Sequence, residues 1–173
     1  MSDEELVASS LAGNDAAFAE LVARHKRKVF AMAARFGRDD QQIDDIAQET
    51  FIRVWRSLAK FRADAPFEHW LSRIAVHACY DFLRKHRHER EHVALDENLD
   101  APSHDTRNDA AEILHAALAQ LSPKERLVIT LLELEEKSVR EISMLTGWSE
   151  SNVKVRAFRA RAALKRILEQ RHE

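Results

Sequence analysis

The chain has 173 residues, 45% of them apolar and 32% charged, and a formal net charge of −2. One cysteine, Cys79, excludes an intramolecular disulfide and suits the reducing cytoplasm, and no apolar run approaches the length of a membrane span. Three glycines and three prolines are too few for a turn-rich sheet protein, so long helices joined by short turns are expected, in one domain or two small ones. The near-neutral total hides segregation. Acidic residues gather at Asp39–Glu49 and Glu89–Asp109, basic ones at Arg24–Lys28, Arg84–Arg90 and Lys154–Arg171. Nucleic-acid binding follows the local patch rather than the sum. The acidic start, Asp3, Glu4 and Glu5, is unlike a secretory signal.

In chain order, Glu4–Leu11 predicts a short helix closed by Gly13-Asn14. A long helix follows from Asp15 to Gly37, with Phe18, Leu21, Val22, His25, Val29, Met32, Ala33 and Phe36 on its buried stripe. The next runs from about Gln41 to Lys60, with Ile43, Ile46, Ala47, Thr50, Phe51, Val54 and Leu58 inward. Asp44 and Asp45 sit in its first turn, where the helix dipole favours negative charge. Its outward face collects Asp45, Gln48, Glu49, Ile52, Arg53 and Arg56, either as a solvated surface or as a partner surface. The segment 61–67 is a loop closed by Pro66, and a further helix is expected from Phe67 to about His88. Its outer faces mix Arg73, His77, Tyr80, Arg84 and Lys85, a pattern that fits a nucleic-acid strand or simply a core rim.

Periodicity breaks from Glu89 to Asp109, which reads as an acidic tether. Helix resumes over Ala110–Leu121. Ser122-Pro123-Lys124-Glu125 is a start signal: a serine cap, proline in the first turn, and a glutamate that reaches back to the cap amide. Ser138-Val139-Arg140-Glu141 repeats the box, and Gly147 stops that short helix in the left-handed conformation. Ser149 caps the last helix, which buries Val153, Ala157, Ala160, Leu164 and Leu168 and turns Lys154, Arg156, Arg159, Lys165 and Arg166 outward. A short helix, a glycine turn and a basic helix outline a helix-turn-helix that would read DNA. His86, His88 and His92 lack the cysteine pairing of a structural zinc site, and nothing orders a Ser-His-Asp triad, so no metal, cofactor or catalytic residue is expected. Cys79 reads as a small buried residue, with redox sensing as the alternative.

Taken together, the motifs resemble those of bacterial sigma factors of the extracytoplasmic-function (ECF) class, group IV of the primary sigma factor family. Asp44-Asp45-Ile46-Ala47-Gln48-Glu49-Thr50-Phe51-Ile52-Arg53-Val54-Trp55 is similar to the polymerase-binding helix of that class. Phe61-Arg62-Ala63-Asp64, followed by Phe67 to Ala75, is similar to its promoter-opening segment. Leu121 to Arg126 and Glu141 to Arg161 are similar to its carboxyl-terminal helix-turn-helix. The resemblance implies an all-α protein of two small domains, 1–90 and 110–173, joined by a flexible acidic linker, 91–109.

It also implies roles. Asp44, Asp45, Gln48, Glu49, Ile52, Arg53 and Arg56 would dock on the β′ clamp of core RNA polymerase, and the second domain on the β flap. Phe61, Arg62, Ala63, Asp64, Trp70, Arg73 and His77 would read the minus-ten strand, with Arg84, Lys85 and Arg87 along the phosphates. Ala63 stands where the family commonly has glycine, and His77 where a related member has asparagine. Ser149, Ser151, Asn152, Lys154, Val155, Arg156 and Arg159 would read the minus-thirty-five element. Arg156 or Lys154 is expected at base edges, and Arg159 and Arg161 at phosphates. Asp96, Glu97, Asp100 and Asp105 would stand in for nucleic acid in the polymerase cleft. An anti-sigma protein is the implied regulator. The rivals are a freestanding helix-turn-helix regulator and a helical adaptor that binds protein only.

Overall fold

The computed structural model describes residues 1–93 and 109–170. Asp96, Glu97, Asp100 and Asp105 therefore lie outside the described residues. Eight α-helices account for most of the rest: α1 Asp3–Leu11, α2 Asp15–Ala34, α3 Asp40–Ser57, α4 Phe67–Val93, α5 Asp109–Leu118, α6 Pro123–Ile129, α7 Val139–Thr146 and α8 Glu150–Glu169. No strand occurs among the described residues. They divide into two compact units, Met1–Cys79 and Tyr80–Glu173.

The helix starts obey their caps. Ser2 and Glu5 form a reciprocal capping box on α1, and Asn14 and Asp39 cap α2 and α3. In the first unit Leu6, Val7, Leu21, Val29, Ala47, Val54, Leu58, Phe67 and Leu71 form the buried core. The α2–α3 turn depends on Gly37. A β-carbon there would lie 2.8 Å from Ile43 Cγ1 and 2.9 Å from Ile43 N. Lys28 on α2 pairs with Glu68 on α4, and Arg24 with Asp3 and Glu20. Cys79 is wholly buried.

In the second unit Leu118, Leu121, Ile129 and Ala160 are buried together, with Leu114, Leu134, Ala163, Leu164 and Ile167 packed on them. Both capping boxes expected there are present, Ser122 with Glu125 and Ser138 with Glu141. Gly147 adopts φ 78°, ending α7 in the left-handed region. Arg126 is buried, and desolvation first, then the charge of Arg90, pushes its guanidinium down to about 10.

Several helix ends differ from expectation; α2 stops at Ala34 and α5 at Leu118, each three residues early. α4 runs to Val93 rather than His88, supported by i,i+4 pairs Lys85–Glu89 and Arg87–Glu91. α3 ends at Ser57, and Leu58–Lys60 tightens into a 3-10 turn. α6 is only seven residues long and passes into a π-helical turn, Thr130–Leu134.

Candidate polymerase and nucleic-acid interfaces

The first surface lies between α2 and α3. Burial of Ile46, Ala47, Thr50 and Val54 turns the opposite side of α3 to solvent. Asp44, Asp45, Gln48, Ile52 and Arg56 are exposed there, and Glu49 and Arg53 are half-buried. The Arg53 Nε donates to Glu49 Oε1 at 2.7 Å, so these two charges already satisfy one another in part. Beside them runs an open groove of about 710 Å³ whose walls include Phe18, Phe30, Phe51, Ile52 and Trp55. Phe30, Ile52 and Trp55 are large apolar residues left in solvent. The sequence-derived set held Ile52 but omitted Phe30 and Trp55. The signal available for Trp55 was its position, three residues past Ile52 on the polar face of α3.

The second surface is the loop 61–66 and the start of α4. Arg62, Ala63 and Asp64 are exposed. Ala63 has φ 55°, so an alanine holds the left-handed conformation that glycine would adopt at less cost. Phe61 turns inward instead. Its ring meets Phe67 edge-on at 5.4 Å and Trp70 at 5.5 Å, and Phe67 and Trp70 stand 5.6 Å apart. This aromatic cluster anchors the loop, leaving Arg62 and Asp64 as its outward side chains. Arg73 and His77 are exposed on α4.

Further along α4, within the second unit, Arg84 and Lys85 are exposed. The Arg84 guanidinium lies 5.7 Å from the Tyr80 ring centre. Arg87 differs: its Nη1 donates to the Leu121 carbonyl at 3.2 Å and its Nε to Glu91. Here Arg87 ties α4 to the turn between α5 and α6.

The third surface is the α7–Gly147–α8 helix-turn-helix. The Ser149 hydroxyl accepts from the Asn152 amide at 3.2 Å and caps α8. Ser143 donates to the Trp148 carbonyl at 2.6 Å, and the Trp148 amide donates to Thr146 Oγ1 at 3.2 Å, which fixes the turn. Val153, Ala157 and Ala160 are buried. Ser151, Asn152, Lys154, Val155 and Arg159 are exposed, and Arg156 is half-buried. The Arg156 Nε donates to Asn152 Oδ1, and its guanidinium lies 5.1 Å from the Trp148 ring centre. Arg161 reaches Glu133 through two nitrogens, at 2.5 and 3.0 Å, and so ties α8 to the π-helical turn. α8 also exposes a large apolar side chain that sequence reasoning left out: Phe158, 74% exposed. Behind the helix-turn-helix a second groove, about 450 Å³, is walled by Leu114, Leu118, Ile129, Leu134, Leu164 and Leu168. Among the described residues no three His, Cys, Asp or Glu side chains group as a metal would need, and no helix is long and apolar enough to cross a membrane.

A helical unit with an apolar groove, in one chain with a cationic helix-turn-helix, defines the class: a two-part helical DNA-binding protein. Residues 21–89 match the family Sigma-70 region 2, and residues 111–164 match Sigma-70, region 4. The chain is 31% identical over 167 residues to the ECF RNA polymerase sigma factor SigM of Mycobacterium tuberculosis, covering 96% of this chain and 85% of that protein. It is 33% identical over 182 residues to the RNA polymerase sigma factor CnrH of Cupriavidus metallidurans, covering 97% and 95%. The solved structure of CnrH with the cytosolic domain of CnrY superposes with a TM-score of 0.63 at 31% identity, over 98% of this chain and 99% of that one. Sigma factor RpoE with anti-sigma factor NepR from Bartonella quintana shares the fold at 20% identity and a TM-score of 0.62, over 88% and 96%. The chain belongs to the sigma-70 family, as an ECF RNA polymerase sigma factor.

Proposed function

We propose that this sigma factor acts as a dissociable subunit of RNA polymerase that selects and opens promoters. Residues 1–90 bind the β′ clamp and the minus-ten strand, and residues 110–173 bind the β flap and the minus-thirty-five element. The linker 91–109 spans the two. On α3, Asp44, Asp45, Gln48, Glu49, Ile52, Arg53 and Arg56 flank the clamp contact, with the groove of Phe30 and Trp55 as its apolar centre. The charges set register and encounter rate, while the exposed aromatics, once covered by the partner, supply affinity. Arg62, Asp64, Arg73 and His77 meet the melted strand around the Phe61–Trp70 anchor. Ser149, Ser151, Asn152, Lys154, Val155, Arg156 and Arg159 meet the duplex.

The observation that carries this reading is the pairing, in one chain, of an open apolar groove rimmed by charge with a capped helix-turn-helix. A freestanding DNA regulator needs the second feature but not the first. The protein does its work in the cytoplasm, has no reaction chemistry of its own, and needs no cofactor. Its apolar grooves are also the natural targets of an inhibitor, and the relatives solved with CnrY and NepR support control by an anti-sigma protein.

The test is a pull-down with purified core polymerase, followed by run-off transcription from a promoter library. Selective initiation that is lost on substituting Asp45, Glu49 and Arg53 together supports the proposal. Tight DNA binding without core, and no initiation with it, would sink it in favour of the freestanding regulator.

A further inference from the structure

We infer that His88 and His92 form an exchangeable site for a divalent transition-metal ion of the zinc and copper class, at the carboxyl end of α4. The segment reads His88-Glu89-Arg90-Glu91-His92, the H-E-x-x-H spacing that sets two imidazoles on one helix face. That spacing has meaning only on a helix. A helix ending at His88 would leave His92 beyond it, whereas α4 continues to Val93 and brings both residues onto adjacent turns. Their rings are in contact, with centroids 4.5 Å apart and planes at 71°. Both side chains are exposed, and among the described residues no hydrogen bond or ion pair engages either ring.

The neighbouring charges are drawn elsewhere. Arg87 and Arg90 donate to the Leu121 and Ala119 carbonyls, on the turn after α5. Lys85 lies 4.0 Å from Glu89, and Arg84 lies over the Tyr80 ring. Glu91 accepts from Arg87 at 2.8 Å. His86 is occupied as well, stacked on Phe82 at 4.0 Å and 3.9 Å from Glu89. The site therefore offers two neutral nitrogen ligands, and water completes the coordination. Two are too few for a structural zinc, as the missing cysteines imply, but they suit a labile ion. Imidazole favours zinc, nickel and copper over magnesium, with copper bound most tightly. Hydrolytic chemistry is not part of the inference, because Glu89 faces Lys85 and His86. A chelate across residues 88 and 92 closes one helical turn. The ion binds that turn only while it is helical, so it braces the end of α4. None of this depends on the sigma-factor reading.

The experiment titrates the full chain, free of any affinity tag, with Zn²⁺, Cu²⁺ or Mg²⁺ alone in a calorimeter. One Zn²⁺ or Cu²⁺ per chain is expected at this site, Cu²⁺ the tighter, and no Mg²⁺. His88→Gln and His92→Gln should each weaken binding by at least about tenfold, the scale on which even a partner behind a ligand matters. His86→Gln should leave it unchanged. Hydrogen exchange should slow at residues 88–92 when Zn²⁺ is added to the parent chain, but not to the double variant. Both histidines are exposed and glutamine is a good helix former, so the variants keep their fold, and circular dichroism without metal checks this. No saturable Zn²⁺ or Cu²⁺ binding by the parent would overturn the inference. So would binding that survives the double substitution, equal binding of Mg²⁺, or exchange at the end of α4 that ignores the metal. Loss of promoter activity with core polymerase would remove the sigma-factor reading and leave this site standing.

Discussion

The indole of Trp55 meets the ring of Phe18 edge-on, with centroids 4.7 Å apart, and so joins α3 to α2 along one wall of the groove. Trp55 is nevertheless 48% exposed, more than its aromatic partner inside the fold would require. An aromatic ring held rigidly at a wet surface is ready to be buried by a partner at little entropic cost. Trp55→Ala is expected to weaken core-polymerase binding by about thirtyfold, the scale of a loss of about 2 kcal/mol at an interface centre. Competition against another sigma factor for core would measure it. Charge removal at Glu49 should instead lower the association rate and its salt dependence, since Glu49 already has Arg53 as partner.

Gly37→Ala should destabilise the first unit. The added methyl would need Ile43 to retreat, and one of the clashing atoms is backbone nitrogen at the head of α3. A cost of about 1–3 kcal/mol is expected, seen as an earlier thermal transition. Gly147→Ala meets no neighbour within 4 Å, so its cost comes only from φ 78°. It should be about 1–2 kcal/mol, confined to the second unit. Hydrogen exchange of α7 and α8 would locate it.

Ala63 shares the left-handed backbone of Gly147 without being glycine. Its left-handed backbone favours glycine, while glycine also loosens the unfolded chain, so Ala63→Gly should change stability by less than about 1 kcal/mol. Ala63→Val puts a β-branched side chain at φ 55° and should cost more than about 1 kcal/mol. Denaturant titration distinguishes the two, and promoter opening should fail only in the valine variant.

Lys28 and Glu68 make the acid limb of stability testable. The hydrogen bond from Lys28, and then its charge, hold the Glu68 carboxyl below its ordinary 4.5. The folded state therefore binds fewer protons than the unfolded state in the window between the two values. Its stabilisation is full above pH 4.5 and fades as pH falls through the depressed value. Thermal midpoints of the parent should fall more steeply with acid than those of Glu68→Gln. Both residues are about half exposed, so added salt should shrink the difference.

Helix positions were legible because their signals are local. Ser122-Pro123-Lys124-Glu125, Ser138 to Glu141 and Gly147 each specify a boundary within four residues. The π-helical turn had no such signal, and the end of α4 was misjudged because its acidic and basic residues pair along the helix instead of breaking it. At the DNA surface, composition drew attention to arginine. Two arginines are otherwise engaged, Arg156 by a tryptophan in the preceding turn and Arg161 by Glu133, 28 residues away. Neither partnership has a periodic signature. Phe158 was overlooked for the complementary reason: the outward face was read for charge alone, although the expected burial of Ala157 and Ala160 already left Phe158 outside the core stripe.

Cys79 lies beyond the reach of reagents in the folded chain, at 0% exposure, and it is the protein's single thiol. Alkylation of that sulfur must therefore wait for the surrounding helices to part. The rate of modification becomes a clock for native-state opening, with one event per molecule and no added label. A ligand that binds only the closed first unit should slow that clock in proportion to how tightly it binds, even when it never touches the cysteine.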